Sequence, residues 1–171
     1  MKNFDLTNLT NLDLGLEGVD HVNISMDSTT RLGKILDPYY VKTINIPNYG
    51  KFSSVMSYWR YLQSPNKDDK LRKLVLKDLR NYTKETSIYL NRVENLQEHL
   101  LVATRIKLNA YPEQKNELVT KFLNSLFVSY NIVGSDRLKT VRSDRLKVYT
   151  GYSKLMIQCV DSLKKETLSS E

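Results

Sequence analysis

Cysteine is almost missing from this 171-residue chain. Cys159 stands alone, so no intrachain disulfide can form and a cage of thiolates around a metal is excluded. Histidine is nearly as scarce. His21 and His99 lie far apart, without a ligand spacing such as H-x-x-x-H, so we expect no metal centre and no cofactor. Cys159 itself falls on the helical face of Tyr152, Met156 and Leu163, where packing is the expected role. No run approaches the roughly 20 apolar residues of a membrane span. The opening Met1-Lys2-Asn3-Phe4-Asp5 leads into no apolar stretch suited to a secretory signal. These absences predict a soluble, cytoplasmic protein without a membrane partner. What is present is a hydrophobic content of 40%, enough for one core, and a net charge of +7 that favours phosphate-bearing partners.

Along the chain, residues 1–20 read as an irregular lead-in, 21–166 as a single domain and 167–171 as a flexible tail. Val22-Asn23-Ile24-Ser25 and Val41–Ile46 are short β-branched runs, the second bounded by Pro47-Asn48-Tyr49-Gly50, and both predict strands. From Ser53 the pattern turns helical. Ser53 or Ser54 supplies a cap and Pro65 marks the end of the first helix. A second begins at Asp68 or Asp69, with Leu71, Leu74 and Val75 inward and Lys70, Arg72, Lys73, Lys77 and Arg80 outward. Val93, Leu96, Leu100 and Ala103 place a third, broken at Tyr111-Pro112. Val119, Phe122, Leu123, Leu126, Phe127 and Tyr130 follow the full amphipathic template, and Tyr152, Leu155, Met156, Cys159, Val160 and Leu163 repeat it. The fold expected is α+β and mainly helical: a small N-terminal β-sheet, from the first quarter of the chain, packed by about five to six helices.

Two segments carry the functional expectations. In the helix near residues 53–63, Val55, Tyr58, Trp59 and Leu62 make one apolar face, and Met56, Arg60 and Gln63 line the adjoining one, giving a packing side and a presenting side. Farther on, Ser135-Asp136-Arg137-Leu138-Lys139 recurs as Ser143-Asp144-Arg145-Leu146-Lys147. With Arg142 this segment concentrates five cations, Arg137, Lys139, Arg142, Arg145 and Lys147, against two carboxylates. It reads either as a solvated surface or as a phosphate-binding element for a ligand or a nucleic-acid backbone.

Taken in order, residues 22–63 resemble the N-terminal half of the NADAR (YbiA-like) family of small, mostly helical N-glycosidases. Val22-Asn23-Ile24 is similar to that family's opening strand. Leu32-Gly33-Lys34 through Pro38-Tyr39-Tyr40 is similar to its L-G-x-x-S-N-F loop. Ile44-Asn45-Ile46 with Gly50-Lys51 matches its strand and D-G-K turn, and Ser53 to Gln63 its T-S-E-H-Y-F-Q-A-Q-K helix; Thr150-Gly151-Tyr152 with Leu155-Met156 echoes its closing helix. The family cleaves riboflavin-pathway intermediates or removes ADP-ribose from nucleic-acid bases. Its motif glutamate and lysine, however, fall on Met56 and Gln63 here. A thioether cannot orient water or stabilise a developing positive charge, so the resemblance implies a site neutralised as a unit.

Three functional expectations follow. The first is a divergent member in which Tyr58, Trp59 and Asp37 wall a pocket edged by Lys51, Arg60 and the 137–147 cations. That pocket would bind a nucleotide, ADP-ribose or nucleic-acid phosphate without hydrolysis. The alternative reading of Tyr58 and Trp59 is ordinary core packing. The second is an active hydrolase with relocated acids, Asp37 being the candidate. The third is an interaction module that binds a host or partner protein through a basic, tyrosine-rich surface.

Overall fold

Thr30 starts the first helix by accepting a hydrogen bond from Gly33 N at 2.9 Å, and helix α1 runs Arg31–Leu36. Gly33 is required there, because a Cβ would lie 2.2 Å from both Asn23 O and Ser28 Oγ. That close approach sets α1 against β1, His21–Asn23. The computed structural model describes residues 14–132, 146–148 and 152–168. Within them the remaining elements are β2 (Ile44–Ile46), β3 (Gly50–Phe52), α2 (Val55–Gln63), α3 (Leu76–Thr86), α4 (Leu96–Asn109), α5 (Pro112–Thr120), β4 (Leu126–Val128), β5 (Tyr130–Ile132), β6 (Leu146–Val148) and α6 (Tyr152–Leu168). Short 3-10 turns lie at Leu14–Leu16, Asp69–Arg72 and Ile88–Leu90. The chain is thus mainly helical α+β.

Three two-stranded pairings hold the strands. β1 and β4 are parallel, with Val22 opposite Phe127. β2 and β3 form an antiparallel hairpin with Ile44 opposite Phe52, turned through Gly50 at φ +84. β5 and β6 are antiparallel, with Asn131 opposite Lys147. One apolar core gathers β2, β3, α2 and α4 around Phe52, Met56, Tyr58 and Leu100. A second joins β1, α1, α5 and α6 around Val22, Leu32, Leu118 and Val160. Helix α4 lies against α2, α5 and α6 and serves both.

Two expectations are corrected. The apolar series from Val119 to Tyr130 does not form one helix: α5 stops at Thr120, and the later residues enter a turn and then β4 and β5. Phe122, Phe127 and Tyr130 are all buried, so their inward role holds while the local geometry differs. Short apolar runs fit either period, and here pairing with β1 decides for the strand. The first quarter of the chain also does not supply the sheet alone, since β1 takes its partner from Leu126–Val128. By contrast α6 forms where its periodicity places it, burying Met156, Cys159, Val160 and Leu163.

Candidate functional site

Helix α2 is fastened at its start by a reciprocal serine pair. Ser57 N donates to Ser54 Oγ and Ser54 N to Ser57 Oγ, each at 3.0 Å. The helix is then enclosed on nearly every side. Val55, Met56, Tyr58, Trp59, Tyr61, Leu62 and Gln63 are all buried, and only Arg60 is partly exposed. The presenting side expected from Met56, Arg60 and Gln63 is therefore absent. The 3-10 turns at Asp69–Arg72 and Ile88–Leu90 and helix α4 cover the faces that helical periodicity left open. Met56 sits in the core, and its amide donates to Pro38 O at 2.8 Å. Gln63 is a tie: its Nε2 donates to Tyr89 O and Asn91 O at 3.1 and 3.0 Å, and its Oε1 accepts from Arg60 Nη1. Tyr58 packs among Tyr49, Phe52 and His99, with its hydroxyl 2.8 Å from His99 Nδ1. Burial, helped by Tyr49, pushes that hydroxyl well above its usual range. The Arg60 guanidinium lies over the Trp59 ring at 5.6 Å.

Asp37 is buried at the end of α1, away from any open surface. Its carboxylate accepts from Tyr39 N at 2.7 Å and Met26 N at 3.1 Å. Burial raises its pKa above the ordinary carboxylate value, against those two hydrogen bonds and the cations Lys107 and Arg80. Lys107 of α4 is 0% exposed, and its Nζ donates to Asp37 O at 2.9 Å. Burial pushes this amine down to about 7, with Asp37 acting in the opposite sense. The sequence reading missed Lys107. The available signal was a lysine four residues after Ala103 and seven after Leu100, on an otherwise apolar stripe.

Lys51 occupies the other candidate region. It lines an open cleft of about 490 Å³ together with Thr43, Phe52, Ser53, Arg72 and Lys73. The β2–β3 hairpin forms one wall and the 3-10 turn Asp69–Arg72 the other; Ser53 N donates to Arg72 O at 2.9 Å and closes the corner. Arg72 is held from several directions. Its Nε donates to Asp69 at 2.6 Å, its Nη1 to Tyr49 O at 2.5 Å, and its guanidinium lies 4.6 and 4.4 Å from the ring centres of Phe52 and Tyr61. Asp68, the other nearby acid, is engaged by the Tyr82 hydroxyl and by Lys70 N. Among the described residues no carboxylate lies within 4.0 Å of Lys51 or Lys73. Arg72 and Lys73 read from sequence only as outward-facing; their convergence on Lys51 is a tertiary fact.

A third polar group lies at β1. Asp20 meets His21 Nδ1 at 2.5 Å, and His21 Nε2 meets the Tyr130 hydroxyl at 3.1 Å. A carboxylate only accepts, so Nδ1 donates to Asp20, and in the neutral ring Nε2 accepts from Tyr130. Burial and the carboxylates of Glu17 and Asp20 push the Tyr130 hydroxyl up, which makes it a donor and not a source of phenolate. Asn23 completes the join, donating to Tyr130 O and accepting from Tyr130 N, each at 2.9 Å. With His21 and Tyr130 both buried, this chain of bonds locks β1 to β5.

Of the other expected residues, Arg137, Lys139, Arg142 and Arg145 lie outside the described residues, and Lys147 falls in β6. No set of three His, Cys, Asp or Glu side chains among the described residues is grouped to hold a metal. No helix among them is long and apolar enough to cross a membrane. Comparison with protein-family models, curated proteins and solved structures finds no match to this chain.

Proposed function

We propose that this chain is a catalytically divergent NADAR-like protein. In this reading it binds a nucleotide, ADP-ribose or nucleic-acid phosphate without hydrolysing it. The observation that carries the reading is the convergence of Lys51, Arg72 and Lys73 on one open cleft. Lys51 and Lys73 are exposed and have no carboxylate partner among the described residues, while Arg72 is already oriented by Asp69, Tyr49 O and two aromatic rings. Pre-oriented guanidinium and mobile ammonium groups are the donors that phosphate oxygens select. The positions that match the family's catalytic pair offer no charge, since Met56 is packed in the core and Gln63 is spent on backbone carbonyls.

Calorimetric titration with ADP-ribose, ATP and a short single-stranded oligonucleotide tests the proposal. At least one should bind, and K51E/K73E should weaken it by about tenfold or more, because charge-assisted bonds are worth about 1.5–3 kcal/mol each. No binding of any of the three, or binding indifferent to that double variant, overturns it. A second reading, hydrolysis with Asp37 as the acid, is favoured by that carboxyl's raised pKa in a buried setting. Release of free base from ADP-ribosylated oligonucleotide, lost in Asp37→Asn, would establish it in place of the first.

A further inference from the structure

The turn after α1 ties several helices together. Asp37 accepts from Met26 N and Tyr39 N, Pro38 O accepts from Met56 N of α2, and Asp37 O accepts from Lys107 Nζ of α4. From α3 the Arg80 guanidinium covers the Tyr39 ring at 4.5 Å. Four helices thus meet at Asp37–Tyr40.

The Lys107 end of this junction is under-supplied with acceptors. An ammonium carries three N–H donors, yet Lys107 makes one hydrogen bond, to a backbone carbonyl, at 0% exposure. One turn earlier on α4 the Thr104 hydroxyl is buried and has no hydrogen-bond partner among the described residues. Among the described residues no carboxylate oxygen lies within 4.0 Å of Lys107 Nζ. A neutral amine has two N–H donors and leaves one of them unpaired here, whereas the ammonium leaves two unpaired and buries a charge as well, so these surroundings favour the neutral form.

We propose that the turn Asp37–Tyr40 is a proton-controlled latch. It is closed while Lys107 donates to the Asp37 carbonyl as a neutral amine, and it loosens when that amine takes up a proton. Burial lowers the amine to about 7 from its ordinary 10.5, which puts the transition at neutral pH. The charged groups facing the junction are the Asp37 carboxylate, which favours the protonated amine, and Arg80 of α3, which weakly opposes the upward shift that burial gives Asp37. Burial also raises Asp37, against its two amide hydrogen bonds and the two cations.

Amide hydrogen exchange of the full chain at pH 8.5 and pH 6.5, corrected for intrinsic rates, reads the latch directly. The amides of Met26, Tyr39 and Met56 should lose about tenfold or more in protection at the lower pH, since proton linkage contributes up to about tenfold per pH unit. In K107M, whose side chain fills similar space without a titrating group, protection at these amides should not change with pH. Equal protection of the wild type at both pH values overturns the latch, as does the same loss in K107M. If K107M does not fold, the side-chain carbon resonance next to the Lys107 amine is followed in the wild type. A midpoint near 7 supports the latch and one near 10 overturns it.

Discussion

Lysine is used in opposite ways in two parts of this molecule. At the cleft, Lys51 and Lys73 lie exposed to solvent and have no carboxylate partner among the described residues. At the Asp37 turn, Lys107 is withdrawn from water and holds a single acceptor. The contrast teaches that a cation's contribution depends on its solvation. The exposed pair adds almost nothing to stability and leaves its charge for a ligand, whereas the buried amine ties secondary structure together and makes the fold sensitive to protons.

The largest expected effect comes from removing the acid. D37A leaves the amides of Met26 and Tyr39 without their acceptor in a buried setting, so unfolding in urea should show a loss of about 3–5 kcal/mol. K107M should cost clearly less, because it removes one hydrogen bond to a backbone carbonyl and fills similar space with an apolar chain. The reverse ranking would break the contrast.

The pH dependence comes next. Lys107 has a lower pKa folded than unfolded, so the unfolded chain binds more protons between about 7 and 10.5 and stability rises with pH across that window. The gain is at most about 1.4 kcal/mol per pH unit, read from denaturation midpoints at pH 7 and pH 9. Asp37 has the opposite sign: its raised folded pKa makes the folded state hold its proton more tightly, so its term favours folding as pH falls toward 3.8. A flat profile from pH 7 to 9 that K107M leaves unchanged would sink the buried half of the comparison.

A smaller effect is expected at the start of α2. S54A removes the acceptor for Ser57 N and should cost about 1 kcal/mol by thermal or urea denaturation. Smallest of all is the stability change in K51E/K73E, within about 0.5 kcal/mol, since both side chains are exposed. A much larger destabilisation there would show that the cleft lysines are structural, and would erase the distinction between the two regions.

What could be read before the structure was known follows the range of the forces involved. The cap expected at Ser53 or Ser54 forms at Ser54, the strand expected over Val41–Ile46 forms at Ile44–Ile46, and the helix ending the described chain forms as expected; all three depend on neighbours a few residues away. The segment from Val119 to Tyr130 could not be settled locally, because its apolar spacing suits a helix and its strand partner lies in His21–Asn23. The site divides in the same way. Lys51 was visible from the Gly50-Lys51 turn, but its meeting with Arg72 and Lys73 needs the hairpin to fold against the Asp69–Arg72 turn. Met56 and Gln63 were read as a presenting face because one amphipathic stripe explains a helix packed on one side, and α2 is packed on several.

The parallel pairing of His21–Asn23 with Leu126–Val128 has a consequence for synthesis. A chain emerging from the ribosome exposes its first strand early and must wait for roughly a hundred further residues before the mate arrives. Until then Asn23 has no Tyr130 to grip and the strand's edge stays open. Any premature stop upstream of Leu126 would leave β1 without its pairing strand and Asn23 without Tyr130.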